Sequence, residues 1–229
     1  MCGRFTLTID GKFYPRFGVK NIIEIKPRYN IAPGQYITVI TRKDGINSLE
    51  QMKWGLVPFW SKDPKIGNRL INARAESVDE KPAFRNPFKS KRCIIPASGY
   101  YEWKKDGKLR TPYYIHKPGE FLSLAGVYDT WKDVEGHEMN TVTIITRPAE
   151  ASVAQIHDRM PAAISKKDQG LWLDNTNFDI DSLKQVLLSN EGVFESYEIS
   201  SAVNSPENDI RDLLMPVIRQ KVERKDLFG

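Results

Sequence analysis

The sequence predicts an α+β chain, mostly β, folded as a single domain of antiparallel strands with a few helices over residues 1–229. Three observations predict it. Short β-rich runs dominate the first two thirds, and they come in pairs around turn residues. Helix-like patterns are short and fall late in the chain. The length of 229 residues, with 40% hydrophobic and 28% charged residues, fits one ordinary globular core that needs no staples.

Each element follows from local chemistry. Runs 37–42 and 48–54 flank Asp44-Gly45, a hairpin signal. Runs 99–104 and 109–116 flank Asp106-Gly107, a second one. Runs 121–131 and 139–146 read as a third pair. A short helix is predicted over 148–156, and two more over 168–174 and 180–188, with Asp179 or Asp181 near a cap. Run 193–199 reads as a late strand. Stretches 27–35 and 54–96, rich in Pro, Asn and Arg, read as extended loops, where functional residues concentrate.

Several classes are excluded. The apolar runs are too short to span a bilayer, and the start Met-Cys-Gly-Arg-Phe-Thr lacks an apolar stretch behind its charge. A cytoplasmic protein without membrane contact is expected, nucleoid-associated if bacterial, and a monomer. Cys2 and Cys93 alone make neither a disulfide framework nor a four-ligand zinc site. With no P-loop, no G-x-G-x-x-G and no metal-ligand cluster, no cofactor and no metal are implied.

Charge is unevenly placed. From Lys62 to Arg92 nine basic residues (Lys62, Lys65, Arg69, Arg74, Lys81, Arg85, Lys89, Lys91, Arg92) face four acidic ones (Asp63, Glu76, Asp79, Glu80), leaving +5. From Asp168 to Gly229 six basic residues face twelve acidic ones, leaving −6. A polyanion would therefore approach the middle of the chain. Trp54, Phe59, Trp60, Phe84 and Phe88 lie in or beside the basic stretch. Aromatic rings interleaved with cations suit single-stranded nucleic acid, whose bases stack while cations track phosphates.

Cys2 becomes an unusual nucleophile if Met1 is trimmed. It then carries a thiol beside a free α-amine, whose pKa of about 7.7–8.0 leaves much of it neutral near pH 7. A neutral amine attacks an aldehyde to form a Schiff base. The adjacent thiol can add to the imine carbon and close a thiazolidine ring. Candidate proton shuttles are His116, His137 and His157, the last in Ile-His-Asp-Arg-Met-Pro. Glu102, flanked by aromatics in Gly-Tyr-Tyr-Glu-Trp, is a carboxyl that burial could turn into an acid/base group. Asn72-Ala73-Arg74-Ala75-Glu76 reads as a turn or first helical turn, with Arg74 able to fork onto a phosphate and Asn72 to orient a sugar oxygen or an amine. Arg4 lies on the same side as Cys2 if that segment is extended. Asn30, with Ala32-Pro33-Gly34, reads as a rigid turn near the same pocket.

Together these motifs resemble the SRAP family, named for SOS-response-associated peptidases. The matching pieces are Met-Cys-Gly-Arg-Phe at 1–5, Tyr-Asn-Ile-Ala-Pro at 29–33, Trp-Gly-Leu-Val-Pro-Phe-Trp at 54–60 and Asn-Ala-Arg-Ala-Glu at 72–76. Then come Arg-Cys-Ile-Ile-Pro-Ala at 92–97, Gly-Tyr-Tyr-Glu-Trp at 99–103 and Ile-His-Asp-Arg-Met-Pro at 156–161. They cover roughly the first three quarters of the chain, and the C-terminal quarter adds little. The resemblance implies a β-barrel-like core with peripheral helices and a positively charged groove. It implies a protein of the DNA-damage response that cross-links to abasic sites in single-stranded DNA and shields them. In that role Cys2 forms the thiazolidine, Glu102 opens the closed deoxyribose, His157 assists Schiff-base formation and Asn72 positions the reacting groups. Arg4, Arg74 and Thr146 would hold flanking phosphates, and Trp54, Trp103 and Pro33 would stack or wedge. The rival activity is a thiol peptidase with Cys2 as nucleophile, including self-removal of Met1. Two further rivals are a non-covalent DNA binder and a β-rich protein whose basic loops only solubilise it.

Overall fold

The computed structural model describes residues 2–189 and 192–218. Removal of Met1 concerns a residue outside the described ones, as does the end of the expected 1–229 domain. In chain order the elements are β1 (Phe5–Leu7), α1 (Phe13–Phe17), β2 (Arg28–Ile31), β3 (Tyr36–Lys43), β4 (Ile46–Trp54), β5 (Asn72–Arg74) and α2 (Arg85–Ser90). There follow β6 (Arg92–Ala97), β7 (Gly99–Asp106), β8 (Leu109–His116), β9 (Leu122–Lys132), β10 (Glu138–Pro148) and α3 (Ala151–Ala154). The chain continues through β11 (Arg159–Pro161), α4 (Gln169–Leu173), α5 (Ile180–Leu188) and β12 (Glu195–Glu198). Short 3₁₀ turns occupy Pro64–Arg69, Ser201–Asn204 and Arg211–Leu214.

The strands form two sheets. In one, β10, β4, β3, β6 and β9 are neighbours in that order, and β9 pairs with β10, so the sheet closes on itself as a small barrel with β11 and β5 attached to β10. Closure leaves no edge among those five strands. The other sheet has the order β12-β8-β7-β1-β2. Pairing is antiparallel except where β10 meets β4 and β5 in parallel. The barrel strands are buried on both faces, with Val39, Ile40, Ile94, Leu124, Val127, Val142 and Ile144 all at 0% exposure.

The predicted hairpins are present because their turns are encoded locally. Asp44 and Gly45 take φ of +49° and +77°, the left-handed pair a tight β-hairpin needs, and join β3 to β4 in uninterrupted register from Lys43↔Ile46 to Tyr36↔Lys53. The 148–156 helix shrinks to one turn, α3. In α5 the Asp179 side chain accepts from the Ser182 N–H, and Leu183, Val186 and Leu187 form the buried stripe.

The stretches read as loops are more structured than expected. Residues 28–31 form β2, and 54–96 contain β5, α2 and the start of β6. Asn72–Arg74 is a strand rather than a helix start, because β10 supplies the ladder at Ile144↔Asn72 and Thr146↔Arg74. Of the nine basic residues at 62–92, seven are exposed. Lys91 pairs with Asp129. Arg92 is fully buried and donates to the carbonyls of Phe88, Lys89, Trp172, Asp174 and Asn177, joining the end of α2 to α4. Burial lowers its pKa to about 10, so it stays charged at neutral pH. No described helix is long and apolar enough to cross a membrane.

Candidate functional site

The start of the chain lies against β7. Phe5 is opposite Tyr100, and the Tyr101 N–H donates to the Arg4 carbonyl at 3.0 Å, so residues 2–4 run antiparallel to 101–103. Along β7, Tyr100 and Glu102 share one face and Tyr101 points to the other. Cys2, Tyr100 and Glu102 are all buried, at 0%, 0% and 3% exposure. The Cys2 thiol donates to the Arg4 carbonyl at 3.9 Å. Burial first, and the Glu102 charge second, push that thiol far up from its ordinary pKa, so it is held protonated. Burial likewise raises the Glu102 carboxyl, while the facing His157 draws it partly back. Glu102 is thus within electrostatic reach of both Cys2 and His157.

His157 precedes β11. Its Nδ1 accepts the Arg159 N–H at 3.0 Å and lies 2.9 Å from an Asp158 carboxylate oxygen, which fixes the ring against its own strand. Asn72 and Arg74 reach the same region on β5, and Thr146 lies on β10 between β5 and β11. The Asn72 Nδ2 donates to the Ile71 carbonyl at 2.9 Å, whereas its Oδ1 is buried without a hydrogen-bond partner. A buried amide oxygen left over in this way is an acceptor awaiting a ligand or water. Thr146 Oγ1 donates to the Ala73 carbonyl and accepts from Arg159, so it is committed within the sheet. Arg74 is exposed beside an open groove of about 410 Å³ lined by Trp60, Leu70, Asn72, Lys81 and Phe84 among others.

Other predicted residues lie elsewhere. Trp54 is 1% exposed, with its ring edge-on to Phe5 and its Nε1–H donated to the Ile71 carbonyl. It is a strut between β1 and β5, and in this conformation it offers a base no face. Pro33 is half-buried in a turn pinned by the Gly34 N–H on the Trp54 carbonyl at 2.7 Å. Trp103 is half-buried, and its Nε1–H donates to Asn204. Arg4 and Asn30 bond to each other and to the segment after residue 200. His116 stacks on Tyr114, and His137 pairs with Asp133 on an exposed turn, where with Glu135 they form the only group of three metal-type ligands among the described residues.

Three features escaped the sequence reading. The Tyr100 hydroxyl is buried beside Cys2 and Glu102 without a hydrogen-bond partner. A buried Arg147–Glu150 ion pair lies near it. Arg159 is held by Glu76 through both carboxylate oxygens. Arg159 carried a usable signal, since it lies two residues after His157 in an extended stretch and so shares its side. Tyr100 carried an equally weak one, at the same spacing before Glu102.

The comparisons with known proteins agree with this geometry. The family described as "SOS response associated peptidase (SRAP)" matches residues 1–206. The chain belongs to the SRAP family. Among SRAP relatives, the abasic site processing protein YoqW of Bacillus subtilis is 42% identical over 221 residues, covering 93% of this chain and 99% of that protein. The abasic site processing protein HMCES of Gallus gallus is 30% identical over 226 residues, covering 84% of this chain and 67% of that protein. A solved structure from Bacteroides thetaiotaomicron superimposes with a TM-score of 0.84 at 28% identity, covering 95% of this chain and all of that one. The SRAP fold, with its closed small barrel, is therefore the fold of this chain.

Proposed function

We propose that this chain processes abasic sites by forming a covalent thiazolidine cross-link between Cys2 and the ring-opened sugar in single-stranded DNA. The observation that carries the reading is the buried pair of Cys2 and Glu102, with the half-buried His157 in electrostatic reach of Glu102, together with an open cationic groove at Asn72 and Arg74. The names of its relatives support the substrate class.

The chemistry begins with hydrolysis of the bond before Cys2, which frees the α-amine. An abasic sugar is mainly a closed hemiacetal. Glu102, whose hold on a proton burial strengthens, can give a proton to the ring oxygen while the C1′ hydroxyl loses one, opening the aldehyde. The amine nitrogen then attacks C1′, water leaves, and an imine remains. His157 moves protons in that dehydration. The thiol adds across the C=N bond: a C–S bond forms, the π pair passes to nitrogen, and the thiol proton follows it. Ring closure removes the imine that would otherwise promote β-elimination and strand cleavage.

A general thiol peptidase fits less well. It needs an ionised thiol, and both burial and the Glu102 charge oppose ionisation of Cys2. A thiol that adds after the imine has formed can remain protonated until then. The test is the intact mass of the purified protein before and after incubation with an abasic oligonucleotide. Expected are loss of one methionine residue, then an adduct of protein plus oligonucleotide minus one water, absent in Cys2→Ser. A protein that keeps Met1 yet forms the adduct, or a serine variant that forms the same heat-stable species, overturns the reading.

A further inference from the structure

The segment after β12 returns to the beginning of the chain. Arg4 Nη1 donates to the Asn30 Oδ1 at 2.8 Å and to the Val203 carbonyl at 2.7 Å, and its Nη2 donates to the Asn204 carbonyl at 3.1 Å. Asn30 is fully buried, and its Nδ2 lies within 2.8–3.2 Å of the carbonyls of Asn208, Ser205 and Val203. Asp209 then closes the loop. Its carboxylate accepts the Asn30 N–H at 3.0 Å, accepts the Tyr29 N–H, and pairs with Arg28. The indole of Trp103 holds the Asn204 side chain at 2.8 Å. Beneath these polar contacts Val203, Leu213 and Ile199 pack on Tyr101 and Tyr114 in a small core of their own.

This arrangement bears on the reaction because Arg4 is two residues from Cys2. The Arg4 carbonyl receives both the Cys2 thiol and the Tyr101 N–H, so whatever fixes Arg4 fixes the nucleophile. Three guanidinium N–H groups are engaged, two by strap carbonyls and one by the Asn30 side chain, which leaves Arg4 poorly placed to fork onto a phosphate. The match to the family ends at residue 206, short of Asp209. We propose that residues 201–209 form a strap, anchored by Asp209, that positions Cys2 through Asn30 and Arg4, and that Arg4 serves this strap rather than a DNA phosphate. The assignment rests on the cross-linking reading for the identity of the reaction, but its own consequences are separate. A strand start that is held still presents the amine and thiol in one geometry, and small displacements of reacting groups are costly in rate.

The experiment is single-turnover cross-linking of the full chain to an abasic oligonucleotide, with maximal rate and half-saturating DNA read separately, for Arg4→Lys, Asp209→Ala and Asp209→Asn. Retention of an undamaged oligonucleotide is followed against salt. Expected is a maximal rate lowered about tenfold in Arg4→Lys and Asp209→Ala, with half-saturation and salt slope as in the wild type. Asp209→Asn, which keeps an acceptor for the two backbone N–H groups, recovers most of the rate. Arg4→Ala is read for its salt slope alone. A slope reduced by about one, with the maximal rate intact in Arg4→Lys, makes Arg4 a phosphate ligand and overturns the assignment. So does a wild-type rate in Asp209→Ala. If Asp209→Ala melts below the assay temperature, Trp103→Phe is read in its place: it keeps a ring but loses the bond to Asn204, and a wild-type rate there is equally fatal. If the wild type forms no adduct, the cross-linking reading fails by itself. The strap is then judged by iodoacetamide alkylation of Cys2, mapped by mass, which is faster in Asp209→Ala if the strap holds the strand and unchanged if it does not.

Discussion

The two sides of the candidate site are built on opposite principles. On the β7 side, Cys2, Tyr100 and Glu102 are buried, and burial raises all three acids. On the β5–β10–β11 side, Arg74 and Lys81 are exposed, Trp60 is 50% exposed, and the Glu76 side chain that holds Arg159 is 45% exposed. A dry side keeps protons on groups that must later release them. A wet side attracts a polyanion at little desolvation cost and gives up that attraction to salt. The difference implies that substitutions on the dry side change rates and pH profiles, while those on the wet side change affinity and its salt dependence.

Glu102→Gln breaks the dry side most severely. Loss of a general acid costs about a hundredfold or more in cross-linking rate, while retention of undamaged DNA stays constant. The same variant carries a stability signature whose sign follows from the raised pKa. The folded chain holds the Glu102 proton more tightly than the unfolded chain does. Its contribution is therefore fully present below the ordinary glutamate value and is lost as pH rises through the raised one. Glutamine does not titrate, so the melting temperature of Glu102→Gln gains on the wild type as pH rises from about 4 to 8. An advantage that is flat or shrinking with pH contradicts a buried, proton-holding Glu102.

Tyr100→Phe is the next sharpest probe. An orphaned buried hydroxyl costs about 1 kcal/mol or more, so its removal is expected to stabilise the fold by that order in urea denaturation. A destabilised variant with slowed cross-linking would instead mean that the hydroxyl is satisfied in the working site, and Tyr100 would join the reacting groups.

What could be read in advance divides along physical lines. The hairpins at Asp44-Gly45 and Asp106-Gly107 were legible because turn chemistry lies within two residues. Cys2, Glu102 and His157 stood out because each sits in a short motif that resembles the SRAP pattern. Residues 72–76 misled because Ala, Arg and Glu favour helix locally, and only the β10 ladder holds them extended. Trp54 and Arg92 misled for a related reason: an indole and a guanidinium read as surface groups until distant carbonyls at Ile71 and at Trp172 are seen to receive them. The strap was invisible, and the C-terminal quarter looked uninformative. Its partners at Arg4 and Asn30 are more than 170 residues away, where no local pattern reaches.

The wet side can be sharpened by the smallest of these changes. Glu76 holds the Arg159 guanidinium, which also donates to the Thr146 carbonyl next to the exposed Arg74. Glu76→Gln removes a negative charge near the exposed Arg74 and, on the proposed reading, leaves Arg159 free to turn toward phosphate. Because Glu76 is partly solvated, the gain is modest, about twofold to fivefold in retention of undamaged single strands at low salt. It should vanish at high salt. The Arg159 hydrogen bond holds the Glu76 carboxyl below the usual glutamate range, so the pair persists at neutral pH and is lost only as pH falls through that lowered value. Wild type and Glu76→Gln should therefore differ at neutral pH and converge in acid, with the maximal cross-linking rate alike in both. Equal retention at neutral pH and low salt would show that Arg159 stays docked on β10 without Glu76, and would leave Arg74 and Lys81 as the groups that meet the DNA.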